Sequence, residues 1–84
     1  MATLITNEVE LGLVVRYHRK RARLTRESLS KLAGVGMTAI FELEHARKSV
    51  RLGTLLKILN VLNLSFLLDG PLVDAYVVDE LDHC

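Results

Sequence analysis

Apolar side chains recur at helical spacing through the middle of this chain, and a glycine turn interrupts them once. The first stretch follows Thr25, whose hydroxyl can cap the free amides at the start of a helix. Its apolar positions are Leu29, Leu32 and Ala33. Gly34 can adopt the left-handed conformation that ends a helix, and Val35 is expected to fill the turn from the core side. The helical period then resumes at Ile40 and Leu43. The pattern predicts two short helices, the first over 26–33, joined by a glycine turn.

Two further helices are predicted on either side of this pair. Upstream, Asn7 and Glu10 have the spacing of a capping box, which predicts a helix over 7–22. One face of that helix carries Leu11, Val14, Val15 and His18. Downstream, a helix is predicted over 52–62, and its broad apolar stripe consists of Leu52, Leu55, Leu56, Ile58, Leu59 and Leu62. This stripe is wide enough to serve both a core and a partner chain.

After the fourth predicted helix, residues 64–68 place apolar side chains on one side of an extended segment, which predicts a short strand. Residues 69–70 could form a hairpin turn to a second strand over 72–78. Pro71 argues against this hairpin, because it lacks the amide that would donate the first hydrogen bond of that second strand. We therefore expect the strand to pair with its copy in a second chain about a two-fold axis. The side chains expected in that interface are Val61, Leu64, Phe66 and Leu68. The form of the last residues stays open between helix and strand.

The two central helices form a helix-turn-helix, a motif that often places its second helix in the major groove of DNA. The outward face of that second helix carries Met37, Thr38, Phe41 and Glu42. Many small helical proteins contain two helices joined by a glycine turn, so spacing alone leaves DNA binding and a plain helical pair about equally supported.

The distribution of charge favours DNA. Residues 1–57 hold eleven Lys and Arg against five Asp and Glu, a net charge of +6, whereas residues 58–84 hold five acidic residues and no Lys or Arg. Six of the basic side chains fall within 16–26, where phosphates would lie beside a docked helix. We therefore expect a DNA-binding and dimerisation domain over 7–68, followed by an acidic tail over 69–84 that is partly ordered or binds a partner.

Composition narrows the class of protein. Half of the 84 residues are apolar, more than a small monomer is expected to hide, and this excess favours a homodimer. The single cysteine, Cys84, allows no internal disulfide and fits a reducing cytosol. No run is long enough for a membrane span and the first six residues lack the pattern of a signal peptide, so we expect a soluble cytoplasmic protein.

Other chemistry has little support in the sequence. Residues 34–39 match a loose dinucleotide-binding pattern, but a helix rather than a strand precedes them and the chain is too short for the surrounding fold. The three histidines share no metal-ligand spacing with each other or with the cysteine; they are His18, His45 and His83. The acidic residues of the tail do not have the spacing of a calcium-binding loop; they are Asp79, Glu80 and Asp82. The sequence shows no nucleophile paired with a general base. We therefore expect no enzymatic activity, no bound metal and no cofactor.

Several segments together resemble one known family. They are Leu11-Gly-Leu-Val-Val-Arg16, Leu24-Thr-Arg-Glu27, Ala33-Gly-Val-Gly36, Glu42-Leu-Glu44 and Leu55-Leu-Lys-Ile-Leu-Asn-Val-Leu62. Through these segments, residues 11–64 resemble the lambda-repressor-like, Xre-type helix-turn-helix family. This resemblance implies a mainly α fold of four to five helices. The ending Leu62-Asn-Leu-Ser-Phe-Leu-Leu68 is similar to that of HipB-like antitoxins, in which a strand joins its mate across a dimer. This resemblance implies a repressor that binds a palindromic operator in its own operon and holds a HipA-type kinase toxin in check.

The resemblance also implies roles for individual residues. Arg19 and Glu44 match a structural ion pair between the first helix and the end of the recognition helix. Arg26 matches a glutamine that touches the phosphate backbone, and arginine keeps that ability. The residues expected at the DNA are Arg16, Arg26, Gly36, Met37, Thr38, Phe41, Glu42, Arg47 and Lys48.

The chain departs from the family pattern at three positions and on one face. Gly36 replaces a capping hydroxyl residue, and Arg23 and Ala46 stand where glycine in a left-handed conformation is common. The outward face lacks Arg, Lys, Asn and Gln, so we expect weak base reading supported by DNA shape, dimer spacing and phosphate contacts. A restriction-modification controller, a phage-type repressor and a protein-interaction module with weak DNA binding stay open as alternatives.

Overall fold

The computed structural model describes residues 2–76, and four helices account for most of this range. They are α1 (Glu8–Arg21), α2 (Arg26–Ala33), α3 (Met37–His45) and α4 (Leu52–Val61). The bounds of α2 agree with the prediction, and those of α1 and α4 lie within one residue of it. A further helical turn over 73–76 reaches the end of the described range. The fold is therefore mainly α, as predicted.

The local sequence explains where the first two helices begin and how the second ends. The Asn7 side chain accepts a hydrogen bond from the Glu10 amide at 2.9 Å, and the Thr25 hydroxyl accepts one from the Ser28 amide at 3.0 Å. Gly34 ends α2 in the left-handed region at a φ of 69°. Because these signals act over three or four residues, the sequence alone predicts them correctly.

Three residues other than glycine also adopt left-handed conformations. They are Arg23, Ala46 and Asn63, with φ of 59°, 52° and 58°. The first two are the positions at which the sequence analysis noted a missing glycine. A side chain with a Cβ is strained in this region, so each turn costs some stability relative to glycine.

The hydrophobic core lies where α1 to α4 converge. Its buried members are Val15, Leu29, Ile40, Leu43, Leu55, Ile58, Leu59 and Leu62. The sequence grouped Leu32 with Leu29 and Ala33, but Leu32 is 64% exposed. The reason is that Leu29 and Ala33, four residues apart, meet the rest of the core and leave position 32 at the edge of α2. On α4 the apolar stripe is buried only in part, since Leu52 and Leu56 remain exposed.

At Gly12, α1 lies directly against the main chain of α3. A Cβ at Gly12 would meet the main-chain carbonyl oxygen of Leu43, and it would lie 2.8 Å from that of Glu44. Only the hydrogen of glycine fits at this crossing. Gly12 therefore sets how closely the two helices pack.

Residues 64–69 form no regular secondary structure in the described chain. The Leu64 amide donates to the Leu59 carbonyl at 2.9 Å, but within residues 2–76 no main-chain hydrogen bond joins residues 65–69 to the rest of the chain. The main-chain groups of residues 65–69 therefore have no main-chain partner among the described residues. The strand predicted over 64–68 stays a prediction, and the return over 72–78 extends beyond the described residues.

Within residues 2–76, no helix combines the length and apolar character needed to cross a membrane. In the same range no three His, Cys, Asp or Glu side chains are grouped so that they could hold a metal ion. The tail residues considered in the sequence analysis as ligands lie outside the described range, and they are His83, Cys84, Asp79, Glu80 and Asp82.

Candidate nucleic-acid interface

The outer face of α3 is the surface that a helix-turn-helix would present to DNA. Met37 and Phe41 are 52% and 38% exposed, and Thr38 is exposed beside them. Gly36 precedes the helix and offers no side-chain cap. The predicted groove-facing residues of the first turn therefore share one accessible face.

A buried carboxylate connects α1 to the end of α3. The Glu44 side chain has no exposed surface and accepts hydrogen bonds from Arg19 Nε at 2.6 Å and Arg19 Nη2 at 3.1 Å. Arg19 Nη1 also donates to the Leu24 carbonyl at 2.9 Å, which ties the end of α1 to the loop that leads into α2. The structure thus brings together the pair that the family resemblance implies. Its two-point, charge-assisted geometry fixes the orientation of both helices.

Arg26 is a third member of this group, and the sequence analysis missed its link to Glu44. Arg26 Nε donates to Glu44 Oε1 at 3.1 Å, and its side chain is 31% exposed. No hydrogen bond within residues 2–76 engages its two terminal nitrogens, so these remain available to a phosphate. Residues 26 and 44 are too far apart in sequence for any local pattern to have signalled the contact.

Three positively charged or ionisable side chains lie around the Phe41 ring on the outer face of α3. The guanidinium carbons of Arg26 and Arg47 lie 5.3 Å and 5.8 Å from its centroid. The His45 ring stacks on it with centroids 4.1 Å apart and an interplanar angle of 26°. We call these four side chains the aromatic platform. The sequence analysis expected Arg26 and Arg47 at the DNA but found no arginine among the outward residues of α3. The structure shows that α2 and the loop after α3 each bring one arginine to this face.

The remaining predicted contacts lie around this face in different environments. Arg47 and Lys48 are exposed in the loop after α3. Glu42 is only 22% exposed, and its carboxylate lies 3.9 Å from Lys48 Nζ, so part of its capacity to accept from a base is directed at lysine. Arg16 is half-buried, and its Nε has no hydrogen-bond partner among the described residues. An unpaired buried donor of this kind is uncommon in folded proteins.

Exposed cations surround the junction between α1 and α2. Lys20, Arg21 and Arg23 are exposed, and Arg21 lies over the Tyr17 ring at 5.8 Å. Together with the aromatic platform, these side chains give the N-terminal half of the chain a positively charged surface, which attracts phosphates.

Comparison with known proteins agrees with this geometry. A family model described as Helix-turn-helix matches residues 15–68. The uncharacterized HTH-type transcriptional regulator y4mF of Sinorhizobium fredii is 32% identical over 71 residues, which are 84% of this chain and 93% of that protein.

Solved structures give the same result. A chain of the HipA-HipB-O2-O3 complex is similar with a TM-score of 0.74 and 26% identity, covering 82% of this chain and 97% of its own length. The restriction-modification controller protein C.AhdI from Aeromonas hydrophila is similar with a TM-score of 0.65 and 26% identity, covering 69% of this chain and 88% of its own. The family match spans more than half of the sequence, and so the chain belongs to the Xre-type helix-turn-helix family of DNA-binding transcriptional regulators.

Proposed function

We propose that the protein is a dimeric, sequence-specific repressor of its own operon and the antitoxin of a HipA-type kinase toxin. The observation that carries the DNA-binding part is the outer face of α3, where two guanidiniums flank the Phe41 ring beside the exposed first turn. In this arrangement Met37 and Thr38 meet thymine methyl groups, while the arginines and Lys48 contact phosphates.

The dimer that we propose uses the end of α4 and residues 64–68. Phe66, Leu67 and Leu68 are 49%, 73% and 76% exposed, which is unusual for consecutive large apolar residues in a single small domain. Pairing of this segment with its copy would satisfy the unpaired main-chain groups and cover these side chains together. Half-buried Val61 and Leu64 would extend the same interface. In this proposal 7–68 is the DNA-binding and dimerisation unit, and the acidic 69–84 binds the partner.

The antitoxin assignment is supported by the similarity to a chain of the HipA-HipB-O2-O3 complex over most of this sequence. It predicts a stable complex with a HipA-like kinase encoded beside this gene and loss of that kinase's toxicity on co-expression. A neighbouring restriction endonuclease gene in place of the kinase would favour the controller function suggested by the similarity to C.AhdI.

The repressor function is tested by fluorescence anisotropy on labelled duplexes from the DNA upstream of the gene. We expect salt-sensitive binding to a palindrome whose half-sites lie about 34 Å apart, and much weaker binding to a scrambled duplex. Arg47→Gln should weaken binding to both duplexes, whereas Lys57→Gln, at an exposed position on α4, serves as the charge-matched control. Equal binding to both duplexes at moderate salt would refute sequence-specific repression. Absence of any binding, together with capture of the kinase, would identify a protein-interaction module.

A further inference from the structure

We propose that Phe41 is a positioning residue, whose ring holds Arg26 and Arg47 side by side so that both contact phosphates of the same DNA half-site. This inference rests on the proposed DNA-binding function and deepens it. The sequence placed Phe41 among the residues expected at the DNA, and the proposal gives it a role there through the two arginines beside it.

The surroundings of the ring support a positioning role. His45 stacks on the ring at 4.1 Å, and the guanidiniums of Arg26 and Arg47 lie within 6 Å of its centroid. With these neighbours in place only 38% of the residue is exposed. An aromatic ring attracts guanidinium groups through its negative face, and the ring surface they occupy is not free for a thymine methyl group.

The two arginines form a site for anions. Their guanidinium carbons lie 5.3 Å and 5.8 Å from the centroid of the same ring. Glu44 anchors Arg26 but also faces Arg19, and no carboxylate within residues 2–76 lies within ion-pair distance of Arg47. The platform therefore carries excess positive charge. Double-stranded DNA presents one negative charge per about 1.7 Å of its axis, so one half-site offers phosphates to both arginines.

Positioning in the free protein matters because arginine side chains are flexible. A guanidinium that is already held over a ring and bonded through Nε loses less conformational freedom on binding than one free in solvent. Phe41 thus contributes to affinity on every DNA sequence, whereas a base-reading residue contributes only on its own site.

The test compares Phe41→Leu, which removes the ring, with Phe41→Tyr, which keeps it. Because two cation–ring contacts are lost, we expect Phe41→Leu to weaken binding to operator and random-sequence duplexes by the same factor, about three- to tenfold, and Phe41→Tyr to restore it. In an Arg26→Gln, Arg47→Gln background, Phe41→Leu should cause no further loss. Leu32→Met, at an exposed apolar position on α2 outside the proposed contact surface, should leave binding to both duplexes unchanged.

A readout on the free protein tests the platform without DNA. The side-chain NMR resonances of Arg26 and Arg47 should show ring-current shifts that disappear in Phe41→Leu and persist in Phe41→Tyr. Absence of these shifts, an effect of Phe41→Leu confined to the operator, or an equal effect in the double-arginine background would each overturn the proposal. Equal binding of the unmodified protein to operator and random duplexes would instead overturn only sequence-specific repression.

Discussion

Replacing Glu44 by glutamine removes the charge that two arginines share, while it leaves the size of the side chain nearly unchanged. Glu44 is fully buried and accepts three hydrogen bonds, two from Arg19 and one from Arg26. Glutamine retains one acceptor oxygen and turns an amide donor toward guanidinium donors. Arg19, with only 8% of its side chain exposed, is then left without a counter-charge.

The size of the effect follows from this burial. Removing one member of a buried ion pair costs about 3 to 5 kcal/mol, because the remaining charge stays desolvated. Arg26 is 31% exposed and can turn to water, and glutamine keeps one hydrogen bond, so we expect a loss of about 3 kcal/mol. A domain of this length has a total unfolding free energy of about 4 to 13 kcal/mol. Glu44→Gln should therefore remove a large part of the stability.

Urea denaturation at fixed protein concentration measures this loss, and the midpoint should fall by about 1 to 3 M. The matched control is Glu27→Gln, since Glu27 pairs with Lys31 at 3.2 Å on the exposed surface and should contribute at most a few tenths of a kcal/mol. Replacing Arg19 by methionine and Glu44 by leucine together should cost less than Glu44→Gln alone. A loss below about 1 kcal/mol for Glu44→Gln, or one equal to that of Glu27→Gln, would refute the reasoning.

Three further predictions concern packing, backbone and assembly. Gly12→Ala should destabilise the fold by about 1 to 3 kcal/mol, because its Cβ would lie 2.8 Å from the Glu44 carbonyl oxygen. Gly53→Ala, at an uncrowded position of α4, should instead stabilise the fold by about 0.5 to 1 kcal/mol. Thermal denaturation of both variants distinguishes the crowded site from a general effect of replacing glycine in a helix. Ala46→Gly should raise the unfolding free energy by up to about 1 kcal/mol by relieving the left-handed conformation, and an unchanged or lower urea midpoint would contradict this. Phe66→Asp should yield monomers in sedimentation or light scattering, and a dimer that survives the substitution would rule out the shared interface.

The sequence predicted what depends on near neighbours in the chain. The Thr25 cap, the Gly34 turn and the bounds of α2 all follow from residues within one or two helical turns. The meeting of Arg26 with Glu44 does not, because it requires α2 and α3 to be placed relative to each other first. Sequence reasoning therefore expected Arg26 and Arg47 at the DNA but could not place them beside Phe41.

Glycine positions show the same limit. Gly12 and Gly53 both interrupt predicted helices, and nothing in the sequence distinguishes them. Only the structure shows that Gly12 lies against the main chain of α3, whereas a Cβ at Gly53 would meet nothing within 4 Å. The exposure of Leu32 likewise depends on which edge of a short helix the rest of the core leaves uncovered.

The uncapped start of α3 has a consequence for how this helix moves. Asn7 and Thr25 hold the first turns of α1 and α2 with side-chain hydrogen bonds, but Gly36 provides none to the first turn of α3. The amides at this end should therefore exchange with deuterium faster than those at the start of α2. In the proposed repressor, a first turn of α3 that frays would be able to adjust to the width of the DNA groove that it enters.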